Sequence, residues 1–396
     1  MRKAKNIVFL VLISILFSKC VQEIELQTIE YEDLLVVEAL LTNENKQHTV
    51  KLTRTFKLDS TGPKTETGAL VLIKDDKQNS YLFTENSDGE YISNQAFSAE
   101  LDKSYTLEIT TKDGTVYNST PEKMAGIDNT IQIDIKKEKD HLDKEGLAFY
   151  VNNSKTNNKG LYYRYEYQET TKIIAPFWNN KKILITDYNF PFDFKVVLDS
   201  TQKQVCYKTV NSTTILQTET VSLSEDNLSF KIRFIESNSP FIANRYSILV
   251  KQYVQNSNAY NYFKTLSKLS SSQSIFTQSQ PGQIASNITS TNNDNNVLGI
   301  FEVASVSEKR IFINHDDVFP NIPKTYFTEC EFSDPTIYLG ASTVYSLLII
   351  VLEGGQYIYH KHHSNPNDHK DNAECPYILV STPCGDCSKI ADSDKP

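Results

Sequence analysis

The stretch that decides the fold of the N-terminal region is Leu34-Leu35-Val36-Val37-Glu38-Ala39-Leu40-Leu41, which predicts a β-strand. It is the first of a series of short strand-like runs at regular spacing. The others are His48–Leu58, Ala69–Ile73, Ser80–Thr84, Glu90–Ser93, Tyr105–Thr110 and Thr115–Ser119. Asn-Ser-Asp-Gly at 86–89 and Lys-Asp-Gly at 112–114 are typical of hairpin turns. We therefore expect residues 34–122 to form a β-sandwich of immunoglobulin-like build, although the Cys…Trp…Cys core of antibody domains is absent.

The composition agrees with a β-rich protein. The chain has 22 tyrosines and 20 phenylalanines against only two methionines. Aromatic side chains fit a pleated, half-buried surface, so this balance favours strands. The net charge of −9 leaves no basic stripe that could meet phosphates, which argues against nucleic acid as a partner.

Residues 123–396 are predicted to form a larger β-rich domain. Strand-like runs are Ile131–Ile135, Leu147–Val151, Leu161–Tyr167, Lys182–Ile185, Phe192–Leu198, Ser229–Ile235, Val297–Val306 and Arg310–Ile313. The run Tyr345–Leu352 is apolar except for Ser346 and has the length of a buried strand. Four tyrosines in Leu161–Tyr167 predict packing on a sheet face. Trp178 follows Pro176-Phe177 in a predicted loop, where it is either a contact anchor or an aromatic folded onto its own domain.

One segment of this domain has a helical period. Ala259, Tyr262, Phe263, Leu266 and Leu269 recur at three- and four-residue spacing, which predicts an amphipathic helix over 257–270. A polar stretch follows at 270–296, rich in Ser, Gln, Asn and Thr. Long loops in compact domains are usually functional or mobile.

The N-terminus has the features of an export signal. A basic start precedes the run Ile7–Phe17, which is apolar except for Ser14 and too short to span a membrane. Cys20 follows directly, as in bacterial lipoproteins, so we predict a signal peptide at 1–19, lipidation of Cys20 and a tether at 20–33. Several acyl chains hold a protein durably on a membrane. Lys19 stands where Gly, Ala or Ser is usual, and the alternative is a plain secretory signal with an incidental cysteine.

The remaining cysteines are disulfide candidates, because an exported chain sits in an oxidising compartment. They are Cys206, Cys330, Cys375, Cys384 and Cys387. Their number is odd, which leaves one thiol over unless it pairs with another chain, and the sequence does not give the connectivity. Cys384-Gly-Asp-Cys387 has redox-motif spacing but follows Pro383 in a tail without a βαβ context, so we expect a structural staple.

Signatures of catalysis and metal binding are weak. His360, His362, His363 and His369 lie close together in the sequence. Their spacing matches no established zinc arrangement, so a polar loop is the preferred interpretation. Gly340-Ala-Ser-Thr-Val344 lacks the second glycine of a nucleophile elbow. The sequence contains neither a His-Glu-x-x-His motif nor a phosphate loop. We therefore predict no catalytic residue, cofactor or metal, and a non-enzymatic protein.

Several segments in a fixed order resemble a known family. They are Leu35–Leu40, Ala243–Tyr253, Ala259–Leu266, Ser274–Phe276, Pro281, Ser286–Ile288, Val297–Phe301, Ser305–Ile313 and Cys384–Cys387. Together they resemble the Bacteroidota lipoproteins grouped as domain of unknown function 4249. The resemblance implies an outer-membrane lipoprotein, commonly encoded near TonB-dependent receptors, and it supplies no catalytic residue.

These observations lead to one main hypothesis, an outer-membrane accessory or binding lipoprotein. It would associate with a β-barrel partner such as a TonB-dependent transporter, and with other lipoproteins. The alternative is a structural subunit of an outer-membrane assembly or secretion complex, and a surface hydrolase using the histidine cluster has no motif to support it. The acidic stretch Val21–Glu25 weakly resembles a signal for the cell surface. The resemblance also implies O-glycosylation at Asp-Ser-Thr sites, here Ser60 and Ser200.

Overall fold

The computed structural model describes residues 32–57, 60–86, 89–128, 130–154, 161–189, 192–221, 227–271, 284–291, 296–335, 337–339, 344–362 and 376–391. Strands account for 51% and helices for 12% of the described residues, so the chain is mainly β, as predicted. None of the helices in the described part of the chain has the length and apolar character needed to cross a membrane.

The strands are numbered in chain order. They are β1 (Leu35–Thr42), β2 (Thr49–Arg54), β3 (Lys64–Thr65), β4 (Leu70–Asp75), β5 (Ser80–Glu85), β6 (Glu90–Ser93), β7 (Tyr105–Thr110), β8 (Val116–Ser119), β9 (Gln132–Lys139), β10 (Glu145–Ser154), β11 (Tyr162–Ile174), β12 (Lys181–Asp187), β13 (Asp193–Leu198), β14 (Val205–Asn211), β15 (Leu216–Glu219), β16 (Asn227–Glu236), β17 (Arg245–Gln255), β18 (Ile288–Ser290), β19 (Val297–Asn314), β20 (Phe332–Ser333), β21 (Ile337–Leu339), β22 (Val344–Ser346), β23 (Tyr357–His362) and β24 (Tyr377–Ser381).

Four helices and two short 3₁₀ turns complete the described structure. The helices are α1 (Ser257–Ser271), α2 (His315–Val318), α3 (Leu347–Glu353) and α4 (Thr382–Gly385), and the 3₁₀ turns are Pro240–Ile242 and Cys387–Lys389. The amphipathic helix predicted at 257–270 is therefore confirmed as α1.

The N-terminal strands form one curved sheet around a single apolar core, which we call the N-terminal sheet. Its order is β19-β1-β2-β6-β5-β4-β7-β8-β18, and neighbouring strands are hydrogen-bonded. Several strands alternate strictly, as in β7, where Tyr105, Leu107 and Ile109 are buried and the residues between them are partly exposed. Because side chains on a strand point alternately to opposite faces, this pattern buries one face and leaves the other free. The predicted strands are confirmed, whereas the immunoglobulin-like build stays a prediction.

The curved sheet is completed by strands that come late in the chain. Phe301 of β19 is completely buried in the same core as β7. Asn287, just before β18, donates to the carbonyl of Phe301 at 2.8 Å and accepts from its amide at 2.9 Å. One side chain thus replaces a pair of ladder hydrogen bonds and ties β18 to β19. Residues from both sides of position 122 therefore share one core.

β19 is the strand that joins the two halves of the chain. Its residues 297–304 run parallel to β1, and its residues 305–314 pair antiparallel with β17. β17 continues through β11 to β14. The three-stranded sheet β16-β10-β9 packs against this half, with Phe149, Tyr163 and Tyr165 in a second core. The prediction of sheet-face packing for Leu161–Tyr167 is therefore confirmed.

The last part of the chain packs with a hairpin from the middle of the chain, and we call the two together the C-terminal unit. It contains the hairpin β12-β13, the sheet β20-β24-β23, α3 and α4. A small core includes Ile183, Leu348 and Leu379. Cys206 of β14 is bonded to Cys387, and Cys330 is bonded to Cys384. The bond between Cys206 and Cys387 thus joins the unit covalently to β14, the edge strand next to β11.

Two secondary-structure predictions were wrong. Tyr345–Leu352 is not one strand. Its first two residues end β22, and Ser346 then accepts a hydrogen bond from the amide of Ile349 and begins helix α3, which Gly354 ends. Short apolar runs do not distinguish strand from helix by periodicity alone, and the two capping residues were the missed signals. Val297–Val306 and Arg310–Ile313 are not separate strands either, since β19 is continuous and merely changes partner along its length.

Candidate functional site

A groove of about 810 Å³ lies between helix α1 and the outer face of the N-terminal sheet. We call it the α1 groove. Its floor is formed by β1, β2 and β19, its roof by α1, and Ile284 lies at its border. Its described lining is Val36, Val37, Glu38, Ala39, Leu40, Thr49, Lys51, Glu90, Arg164, Glu166, Tyr262, Phe263, Leu266, Ile284, Leu298, Gly299, Ile300 and Glu302.

The floor of the groove is the face of β1 and β19 that does not enter the core. Leu35 and Val37 are completely buried in the core, whereas Val36 and Leu40 point to the groove and are only half-buried. The parallel register places Leu298 beside Val36. Apolar side chains therefore remain incompletely packed on a face where polar side chains would be expected.

Gly299 in the floor is required by the close approach of the two strands. Its φ is +102°, and a Cβ atom at this position would lie 1.9 Å from the carbonyl oxygen of Val37. Only glycine adopts this backbone conformation readily and leaves room for the neighbouring chain.

The roof is the amphipathic helix α1. Asn256 caps it, because its side-chain oxygen accepts from the amide of Ala259 at 2.9 Å. The amide of the same side chain donates to Glu122 at 2.5 Å and so links the helix to the N-terminal sheet. Tyr262 and Phe263, in contrast, are only half-buried and line the groove.

A buried arginine closes one end of the groove. Arg164 of β11 forms an ion pair with Glu302 at 3.0 Å and a second one with Glu166. Its guanidinium lies 4.4 Å from the ring centroid of Tyr253 and 4.7 Å from that of Phe263. The cation is thus held between two rings and two carboxylates.

The surrounding groups hold this arginine in its charged form. Burial lowers the pKa of Arg164, but the charges of Glu302 and Glu166 outweigh burial and leave the pKa above its ordinary value. Burial, assisted by the charge of Glu166, raises the pKa of Tyr253, whose hydroxyl donates to Glu166 at 3.0 Å. Gln255 donates to Glu302 at 2.7 Å, whereas Nε of Arg164 has no hydrogen-bond partner among the described residues. The network is a fixed structural element, because a buried ion pair needs such partners to offset its desolvation.

The rim of the groove carries an excess of negative charge. Lys51 pairs in register with Glu38 on one side and with Glu90 on the other. With Glu166 and Glu302, the lining has four carboxylates against the two cations Lys51 and Arg164.

The lining combines apolar walls with a few charged side chains. Among the described residues that line the groove there is no histidine, cysteine or serine. The part of the chain that the structure describes also contains no cluster of histidine, cysteine and carboxylate groups with the geometry of a metal site. An apolar pocket with a few convergent charged groups is typical of ligand recognition.

The two predicted O-glycosylation sites are not among the residues that line the groove. Cys20 lies outside the described residues. Ser60 is exposed and donates to the carbonyl of Lys57 at 2.7 Å. Ser200 is also exposed, next to Asp199, whose carboxylate accepts from the amide and the hydroxyl of Thr201. O-glycosylation of the two serines stays a prediction.

Four of the five disulfide candidates form disulfides in the described part of the chain. Cys206, Cys330, Cys384 and Cys387 form the two disulfides described above, and Cys375 lies outside the described residues. Cys384 and Cys387 do not pair with each other, since each is bonded to a distant partner. Trp178 packs beside Cys387, and its indole nitrogen donates to the carbonyl of Gln202 at 3.3 Å. Trp178 is thus folded onto its own domain.

The prediction of a polar loop was wrong for the described histidines of the cluster, which lie on β23 and pack against aromatic rings. His360 contacts Phe177 and Phe332, with both centroid distances at 5.5 Å. The Tyr359 hydroxyl lies 2.8 Å from Nδ1 of His362. His363 and His369 lie outside the described residues.

Sequence reasoning missed the charged residues of the groove. Arg164 and Glu166 lie inside the tyrosine-rich run Leu161–Tyr167, where they alternate with buried tyrosines. That alternation was the available signal that they share the opposite face. Glu302, the ion-pair partner of Arg164, comes 138 residues after it, which no local pattern reveals.

The sequence comparison agrees with the resemblance found from the motifs. The profile of the family described as Domain of unknown function (DUF4249) matches residues 21–310. The matched segment contains all residues of the α1 groove and ends within β19. No curated protein matches the chain significantly.

Proposed function

We propose that this chain, which belongs to the DUF4249 family, is a non-enzymatic accessory or binding lipoprotein of the outer membrane. It associates with a β-barrel partner such as a TonB-dependent transporter. The predicted signal peptide at 1–19 and the predicted lipidation at Cys20 support the location.

The observation that carries the proposal is the α1 groove. Its apolar walls, formed by Leu40, Leu298 and Leu266 among others, face an open space instead of each other. Protein interiors are close-packed, so partly exposed apolar walls around a volume of about 810 Å³ indicate a surface that another molecule covers. The fixed Arg164 network at one end gives this surface a defined shape before the partner arrives.

The proposal is tested by affinity purification of the tagged full-length chain from detergent-solubilised outer membranes. We expect a β-barrel protein to be recovered in stoichiometric amount. The variant Leu266→Lys, which places a charge in the roof, should lose that protein. The matched control Leu82→Lys changes a leucine that is 41% exposed on β5 and does not line the groove, and it should retain the barrel.

The identity of the recovered protein separates the two roles considered for the chain. A nutrient transporter supports an accessory role in uptake. An insertase or secretion channel supports a structural role in assembly, and depletion of the chain should then disturb many outer-membrane proteins. Recovery of no stoichiometric barrel would contradict the proposal.

A further inference from the structure

We infer that the α1 groove takes a short peptide segment of the partner, in which apolar side chains alternate with lysine or arginine. This inference rests on the proposed function, because it names the part of the partner that the groove recognises.

The floor of the groove excludes recognition by strand addition. β1 is hydrogen-bonded to β19 on one edge and to β2 on the other. Its backbone groups are therefore already paired, and an added strand needs a free edge. A bound segment has to be recognised by its side chains, which occupy the space between Val36, Leu298 and the helix residues Phe263 and Leu266.

The charges of the groove determine which sign of charge the bound segment should carry. Arg164 is already paired with Glu302 and Glu166 and enclosed by two rings, so its charge is not free to attract an anion. At the rim, Lys51 stands between Glu38 and Glu90, and one cation does not neutralise two carboxylates. The lining therefore has a net charge of −2, from four carboxylates and two cations. Complementary charge favours the correct partner and disfavours an acidic one.

Tyr262 in the roof adds a second attraction for cations, whereas the ring of Phe263 already faces Arg164 at 4.7 Å. Tyr262 and Phe263 are half-buried, and their rings meet edge to face at 5.3 Å. A ring face that borders an apolar space attracts an ammonium or guanidinium group. A segment that alternates leucine or valine with lysine or arginine can place its apolar side chains against the walls. Its cations then lie near the carboxylates of the rim and the aromatic roof.

The test uses fluorescence anisotropy with three labelled hexapeptides and the purified mature chain. One peptide alternates leucine and lysine, the second leucine and glutamate, and the third serine and lysine. We expect the first to bind at least about tenfold more tightly than either of the others, because only it matches both the apolar walls and the acidic rim.

Charge-reversing variants locate the binding. The double variant Glu38→Lys with Glu90→Lys should weaken binding of the leucine–lysine peptide about tenfold. The matched control Asp102→Lys reverses an exposed carboxylate that does not line the groove and should bind like the original chain. Circular dichroism of each variant verifies that it is folded.

Three outcomes would overturn the inference. They are equal binding of the glutamate peptide, no effect of the double variant, and competition by lysine amide at the same concentration as the peptide. The last would mean that the groove takes a small cation. If the peptide fails to bind while the pull-down recovers a barrel, the inference fails and the proposed function stands. If the peptide binds and no barrel is recovered, the proposed function fails while the peptide specificity stands.

Discussion

The N-terminal sheet and the C-terminal unit are stabilised in different ways. The N-terminal sheet surrounds one continuous apolar core, and several of its strands are joined to their neighbours by short turns, as in β4-β5 and β7-β8. Among the described residues, the C-terminal unit has one small cluster of buried residues, and a second small cluster lies where Cys387 meets Ile173 of β11 and Cys206 of β14. Two disulfides with sequence separations of 181 and 54 residues hold it instead.

The difference shows that disulfides supply part of the stability of a region whose apolar core is small. A small body buries too little apolar surface to offset its loss of chain entropy, and a disulfide lowers that loss by restricting the unfolded chain. The family profile ends at residue 310, so the C-terminal unit lies mostly outside the matched segment, whereas the N-terminal sheet and the groove lie inside it. Three predictions test the contrast.

The largest effect is expected from removing the longer cross-link. The double variant Cys206→Ser with Cys387→Ser should lower the free energy of unfolding of the C-terminal unit by about 5 kcal/mol in the chain-entropy treatment of a disulfide. Hydrogen exchange measured by mass spectrometry should show faster exchange of β24 and unchanged exchange of β7.

The shorter cross-link provides the matched comparison. Cys330→Ser with Cys384→Ser opens a loop of 54 residues and should cost about 4 kcal/mol in the same treatment. If β7 loses protection as much as β24 in either variant, the two regions unfold together and the contrast is wrong.

A core substitution should give the opposite pattern. Leu107 of β7 is completely buried in the N-terminal core, so Leu107→Ala should cost about 3 kcal/mol and raise exchange in the N-terminal sheet while β24 stays protected. The control Leu101→Ala alters a side chain that is 43% exposed and should change stability by less than about 0.5 kcal/mol. Equal effects of the two substitutions would show that Leu107 is not a core residue.

The smallest effect concerns acid sensitivity. Burial lowers the pKa of His48 in the N-terminal sheet, where its Nε2 lies 2.9 Å from the carbonyl oxygen of Phe97. Burial and the charge of Lys361 lower the pKa of His360 in the C-terminal unit. A lowered folded-state pKa means that the unfolded chain binds the proton more readily. The stability that each neutral ring contributes is therefore complete above about pH 6.5 and is lost as the pH falls toward the folded-state pKa.

Each region should thus depend on its own histidine. His48→Gln should remove part of the acid sensitivity of β7 between about pH 7.5 and 5.5 and leave that of β24 unchanged, and His360→Gln should do the reverse. Region-resolved hydrogen exchange at the two pH values, corrected for the intrinsic exchange rate, measures both. If either variant changes the acid sensitivity of β7 and β24 equally, the prediction that each region depends on its own histidine is wrong.

Much of the secondary structure was predictable because it depends on local pattern. The alternation in Tyr105–Thr110 gave β7 with its observed bounds, and the period of 257–270 gave α1 within one residue. Leu347–Glu353 shows where local pattern fails, since an apolar run of this length fits a buried strand as well as a helix, and its end residues decided the outcome.

The sequence by itself determined the mainly β class, the helix α1, the family and the residues available for disulfides. Only the tertiary structure decided which cysteines pair, that β1 and β19 lie parallel, and that Arg164 meets Glu302. The physical reason is that alternation and helical period are properties of neighbouring residues. Pairing between segments more than a hundred residues apart depends on the register of the whole sheet, and the α1 groove exists only because that register places helix α1 over the half-covered face of β1 and β19.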